Sequence, residues 1–174
     1  MPPQKDLLII TASNGENLKL AERFVHIAKQ LGEESDLLDL TCLELPIFNP
    51  RIQNETGIPT IVKSLNNQMA SIPRWIICAP EYNGSIPPIL TSAIAWLSVQ
   101  ESDFRNLFNG RPIALASFSG GGCMELLVSM RIQLSHLGAQ VVGRQLTSNK
   151  NKPATDEAIT DLIKRLTQMN SLTL

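Results

Sequence analysis

Leu7-Leu8-Ile9-Ile10-Thr11-Ala12-Ser13-Asn14-Gly15-Glu16-Asn17 is the stretch from which the rest of the chain can be read. A continuous apolar run ends in a cluster of turn formers. From Asn17 onward, Leu18, Ala21, Val25 and Ala28 recur at helical spacing, and Leu20, Phe24 and Leu31 widen that stripe. Gly32 stands where such a helix stops. The unit is a strand, a small polar loop and an amphipathic helix.

The pattern then repeats along the chain. Asp36–Leu40 reads as a second strand, and Leu45 to Pro59, with its prolines and a glycine, as a long loop of the kind that forms binding loops and lids. A helix is expected over about Thr60–Ala70. Trp75–Ala79 reads as a buried strand stopped by Pro80, and Pro87 and Pro88 sit where a helix can open, with Ile89, Leu90, Ala93, Ile94 and Leu97 as its stripe. Pro112–Ser117 is a further strand ending near Gly120-Gly121-Gly122. Cys123 to Leu137 gives the next helix, Gln140–Gly143 a short fifth strand, and Ala154 to Met169 a last helix. Five strands alternating with five helices imply a parallel sheet covered on both faces, with right-handed crossovers.

Composition narrows the function classes. The chain has 174 residues, 43% hydrophobic and 18% charged, which suits one folded domain over 1–174 and excludes disorder. Lys and Arg number 15 against 16 Asp and Glu, so no basic excess points to nucleic acid or an anionic membrane. No apolar stretch reaches the ~18 residues of a membrane span, and no signal peptide is evident, so the expected location is cytoplasmic. Cys42, Cys78 and Cys123 form no CxxC pair and have no histidine at metal-ligand spacing; they read as buried, reduced thiols, and no metal site is expected. His26 and His136 fall within helices at surface or packing positions.

Ligands of such sheets bind outside the carboxyl ends of the strands, which directs attention to three loops. In the first, Ser13-Asn14-Gly15-Glu16-Asn17, free N–H groups at a helix start favour an anion such as phosphate. Ser13 and Asn17 are the best side-chain donors, and Glu16 should point away. Capping of the helix by Ser13 or Asn14 is the simpler alternative. The second loop, Pro80-Glu81-Tyr82-Asn83-Gly84-Ser85, can read the edge of a planar heterocycle with its backbone while Tyr82 lies against the ring face; it is also a plain tight turn. Three consecutive glycines in the third loop, Ser117 to Gly122, suggest close approach to something flat.

Ala79-Pro80-Glu81-Tyr82-Asn83-Gly84-Ser85-Ile86-Pro87, followed by Leu90 and Ala93-Ile94-Ala95-Trp96-Leu97-Ser98, resembles the signature of the NAD(P)H-dependent FMN reductase family, which includes quinone, azo-dye and chromate reductases. Leu45–Pro50, Gly110-Arg111-Pro112 and the Ser117–Gly122 loop extend the resemblance over most of the first ~145 residues. It implies a flavodoxin-like, three-layer, doubly wound sheet of order 2-1-3-4-5. It also implies FMN as cofactor, NAD(P)H as co-substrate and a small-molecule electron acceptor. Ser13 and Asn17, with the amides of Asn14, Gly15 and Glu16, would hold the phosphate. Pro80, Glu81, Tyr82, Asn83 and Gly84 would follow the isoalloxazine, and Ser117 with Gly120, Gly121 and Gly122 would border its other edge. Trp96 would be a packing or subunit-contact residue. The resemblance further implies a homodimer or homotetramer with the flavin near a subunit boundary; the Pro- and Asn-rich 46–59 loop is a candidate for that edge, and Arg51 a candidate to face a nicotinamide phosphate.

The first loop departs from the family pattern: it is about three residues short and lacks an arginine and a second serine, so the phosphate would lose a bidentate cation. Hydride transfer from a nicotinamide stacked on the flavin, then transfer to an acceptor in the same place, needs orientation rather than a side-chain acid or base; no catalytic residue is expected. A flavodoxin-type electron carrier would be more acidic and more aromatic around the ring. A receiver domain would need acidic residues where Thr11-Ala12 and Pro80 stand. A flavin-free scaffold with a decayed phosphate loop is the third alternative.

Overall fold

Alternation along three central strands decides which helices lie on which face. The computed structural model describes residues 5–172. Strands β1 (Leu7–Thr11), β3 (Arg74–Cys78) and β4 (Pro112–Phe118) are buried almost throughout. Leu8, Ile10, Trp75, Ile77, Ile113 and Leu115 point into one core, and Leu7, Ile9, Ile76, Cys78, Ala114 and Ala116 into the other. Side chains alternate across a strand, so an unbroken apolar run serves both layers at once.

The first core packs against α3 (Thr60–Ala70), α4 (Pro88–Leu97) and α5 (Met124–His136). The second packs against α1 (Glu16–Gln30) and α6 (Asp156–Thr167). Small residues Cys78, Ala114 and Ala116 on that second face leave room for the fully buried Phe24. With β2 (Ser35–Asp39) on the outer side of β1 and β5 (Gln140–Val141) on the outer side of β4, the parallel order is β2-β1-β3-β4-β5, as expected from the sequence.

Two elements differ from expectation. The fifth lane of the sheet is two pieces, β5 (Gln140–Val141) beside Pro112 and Ile113, and β6 (Leu146–Ser148) beside Ala116 to Phe118. Val142 N–H still reaches Ile113 O at 2.9 Å, and residues 143–145 then leave the ladder. The long 45–59 loop contains a helix, α2 (Pro50–Thr56): Asn49 Oδ1 accepts from Arg51 N–H at 2.9 Å and Pro50 fills the first turn, where a missing N–H does no harm. Trp96 proves to be a packing residue, fully buried, its indole donating to Pro46 O at 2.8 Å and its ring meeting Phe48 edge-on at 5.0 Å. Cys78 and Cys123 are buried as expected, whereas Cys42 is exposed beside Asp39. Burial pushes the Cys78 thiol far up, so it stays protonated and inert.

Candidate functional site

Side by side in the sheet, β1, β3 and β4 deliver their three following loops to one cleft of about 290 Å³ at the carboxyl end. Ser13 to Asn17 form one wall, Pro80, Glu81 and Tyr82 a second, and Phe118, Ser119 and Gly120 a third. Residues 101 positions apart therefore meet, because parallel neighbours end at the same edge.

The first wall is shaped by Thr11, whose hydroxyl donates to Ser13 O at 2.9 Å and folds the chain into the turn. Helix α1 then begins at Glu16 with Gly15 as N-cap and no side-chain cap. The amides of Leu18 and Lys19 both turn to Gly15 O, at 3.0 and 3.2 Å. Among the described residues, the N–H groups of Asn14, Gly15, Glu16 and Asn17 have no acceptor, and the Ser13 hydroxyl makes no hydrogen bond. Neither Ser13 nor Asn14 caps the helix. Glu16 points outward, 2.7 Å from Lys19 Nζ.

Asn17 departs from its expected role. Its side chain is 2% exposed: Nδ2 donates to Phe118 O at 2.8 Å, and Oδ1 accepts from Phe118 N–H at 2.8 Å. A primary amide presents one donor and one acceptor with the spacing of a peptide group, so it extends the edge of β4 as another strand would. The side chain is thus a clasp between the first and third loops, and it is the main-chain N–H of Asn17 that faces the cleft.

The second loop is a two-residue hairpin. Tyr82 and Ser85 exchange N–H···O bonds of 3.1 and 3.0 Å across Asn83 (φ 52°) and Gly84 (φ 66°). Asn-Gly suits two successive left-handed residues. Tyr82 is half exposed and separates the cleft from an adjoining hollow of about 460 Å³ that Asn83 lines; Gly84 forms the tip. Glu81 sends its carboxylate away from the cleft to accept from Leu126 N–H at 3.2 Å. Cys123, the N-cap of α5, sits at φ 61° with no capping side chain, so Glu81 caps that helix from another loop.

Ser117, expected at the cleft's border, lies behind it instead. It is fully buried, its hydroxyl donating to Ala79 O at 2.7 Å, and it braces β4 against the end of β3. Gly120 borders the cleft, while Gly121 and Gly122 continue outward along an exposed rim. None of the three occupies the left-handed region, and a Cβ at Gly120 would meet nothing within 4 Å. Sequence reading missed Phe118 and Ser119 as lining residues and Glu81 as a cap; a polar residue beside a buried strand end signals a partner without saying which one. His26 and His136 are both exposed, His26 beside Gln30 and His136 stacked on Phe104.

Residues 6–152 match the family model described as NADPH-dependent FMN reductase. The quinone reductase of Escherichia coli strain K12 is 30% identical over 123 residues, which are 67% of this chain and 64% of that protein; the chain thus spans just under two thirds of the length of that relative. Among solved structures, the flavoenzyme NAD(P)H:(acceptor) oxidoreductase FerB from Paracoccus denitrificans superposes with a TM-score of 0.70 at 21% identity, over 94% of this chain and 92% of that one. A flavodoxin from the domain Archaea superposes with a TM-score of 0.59 at 11% identity over 93% of each chain. At these identities the structural likenesses establish the fold, which is flavodoxin-like.

Proposed function

The chain belongs to the NADPH-dependent FMN reductase family, and we propose that it binds FMN in this cleft and carries electrons from NAD(P)H to a flavin, quinone or similar small-molecule acceptor. The observation that carries the reading is the run of four main-chain N–H groups, Asn14 to Asn17, left without acceptors at a helix start beside the free Ser13 hydroxyl. Converging donors at the positive end of a helix dipole are what a terminal phosphate requires.

The remaining donor set fits the ring. N–H groups of Glu81, Asn83 and Gly84 also lack protein acceptors and can follow the polar edge of an isoalloxazine, and Tyr82 offers a face. Nothing within the protein requires glycine at 120, neither a left-handed φ nor a close neighbour, which is what a surface kept bare for a flat ligand looks like. When bound, FMN would supply the redox chemistry, hydride acceptance from NAD(P)H and electron release to the acceptor in a ping-pong scheme. The protein binds and orients: the α1 start anchors the phosphate, the Asn17 clasp fixes the distance between first and third loops, and Glu81 holds the second loop against α5. No side chain in the cleft needs to act as an acid or base.

In this reading the chain, 1–174, is one reductase domain working as a homodimer or a pair of dimers. Met124, Val128 and Ile132 stand 50%, 47% and 67% exposed at four-residue spacing on α5, an apolar stripe that starts at the third loop and suits a second copy. Free thiols at Cys42, Cys78 and Cys123 suit the reducing cytoplasm. Reconstitution with FMN tests the reading: the expected outcome is near-stoichiometric flavin and NADPH oxidation once a quinone or excess FMN is added. No bound flavin at saturating FMN points to a scaffold, and bound flavin that NAD(P)H fails to reduce points to an electron carrier. Gel filtration should give a dimer or larger, and Val128→Glu should shift it to monomer.

A further inference from the structure

The cleft lining contains two carboxylates, Glu16 and Glu81, and no lysine or arginine. Glu81 is turned away to Leu126 N–H. Glu16, the first residue of α1, points outward, yet a negative charge in this first turn still opposes a phosphate dianion at the helix start. One turn further along, Lys19 Nζ lies 2.7 Å from Glu16 Oε1. Helical side chains lean back toward the N-terminus, so a lysine at the fourth position reaches over the first turn.

That ion pair is easily exchanged. Its side chains are 69% and 48% exposed, and pairs so open to water are weak and screened by salt. Lys19, Glu16 and Phe118 also line a hollow of about 220 Å³ that adjoins the cleft, together with Arg23. Arg23 has a second anchor, Ala154 O at 2.9 Å, besides its exposed pair with Asp156, whereas Glu16 is the one partner of Lys19 among the described residues, which makes Lys19 the easier cation to turn.

Resting on the FMN reading above, we propose that Lys19 is the cation for the ligand's terminal phosphate, leaving Glu16 for the phosphate when the ligand docks. The ammonium then supplies the charge-assisted contact that the short first loop lacks, and it does so from the helix rather than from the loop.

Titration of FMN-free protein with FMN and with riboflavin, followed by flavin fluorescence, separates the phosphate from the ring. Lys19→Gln should weaken FMN roughly ten-fold while riboflavin changes less than about two-fold, and Lys19→Arg should retain most of the FMN affinity. In a Glu16→Gln background, Lys19→Gln should still weaken FMN by several-fold. If its effect vanishes in that background, the lysine serves only to neutralise Glu16 and the proposal is overturned. An unchanged FMN-to-riboflavin ratio in Lys19→Gln overturns it as well, with the phosphate then held by main-chain N–H groups alone. A native chain that binds neither flavin brings down the FMN reading itself, and this proposal with it. Both substitutions lie on an exposed face, so loss of the fold does not confuse the result.

Discussion

Where β3 and β4 begin, polar groups pair within the chain. Arg111 lies 4.5 Å over the fully buried Trp75 ring and donates to the carbonyls of Leu107 and Ile72 at 2.9 and 2.6 Å, with burial drawing its pKa down to about 10. Trp75 in turn donates to Ile72 O at 3.0 Å and meets Phe108 edge-on at 5.7 Å. Gly110 N–H reaches Gly138 O at 2.9 Å, and Leu172 N–H reaches Gly110 O at 3.0 Å. At the opposite edge of the sheet, after β1, four consecutive N–H groups and a hydroxyl stand open, while the Asn17, Ser117 and Glu81 side chains and the main-chain bonds from Ala12 to Cys78 O and from Ala79 to Ala116 O hold the loops in place. Folding favours satisfied polar groups, so this run of open donors is where the proposed ligand would complete the structure. One end carries stability, and the other is where the proposed reading puts binding.

Substitutions that confuse the two ends would break this contrast. Trp75→Ala, at the closed end, should cost about 3–5 kcal/mol in urea unfolding yet leave the FMN-to-riboflavin affinity ratio of the folded protein unchanged. A shifted ratio would mean that the two ends are coupled. Asn17→Ala should cost about 2 kcal/mol by orphaning the Phe118 N–H and C=O, and it should weaken FMN and riboflavin together, because the first and third loops then part. A loss confined to FMN would instead make Asn17 a phosphate contact. Ser13→Ala should leave stability within about 0.5 kcal/mol while weakening FMN about five-fold and sparing riboflavin; equal losses for both would remove the hydroxyl from the phosphate. Gly120→Ala should change the melting temperature least, with a gain of a few tenths of a kcal/mol, since the new methyl group meets nothing and the unfolded chain loses freedom. A marked loss there would show that the rim needs glycine for its own fold.

Much of the architecture could be read in advance because it depends on local patterning. The Leu7–Thr11 run, the α1 stripe and the Pro87-Pro88 opening of α4 each express a period or a backbone limit within a few residues. Gly32 ends α1 with φ 80° and the Glu33 N–H closing on Ala28 O at 3.0 Å, as a glycine in that place should. α2 stayed hidden because prolines read as breakers unless their place in a first turn is known. The fifth lane split because β5 and β6 are too short to show a period. At the candidate site, the three loops could be found from sequence, but the tasks of Asn17, Ser117 and Glu81 could not.

Residue order alone determined the succession of strands and helices apart from α2 and the split fifth lane, the covering of both sheet faces and the tight Asn83-Gly84 turn, since periodicity and allowed φ values act over neighbouring residues. Only the folded arrangement decided which polar group meets which. Asn17 finds Phe118 across 101 residues, Ser117 finds Ala79 across 38 and Glu81 finds Leu126 across 45. Hydrogen bonds are short and directional, so their partners are chosen by where packing sets the loops down. The same packing determines which donors stay free for a ligand.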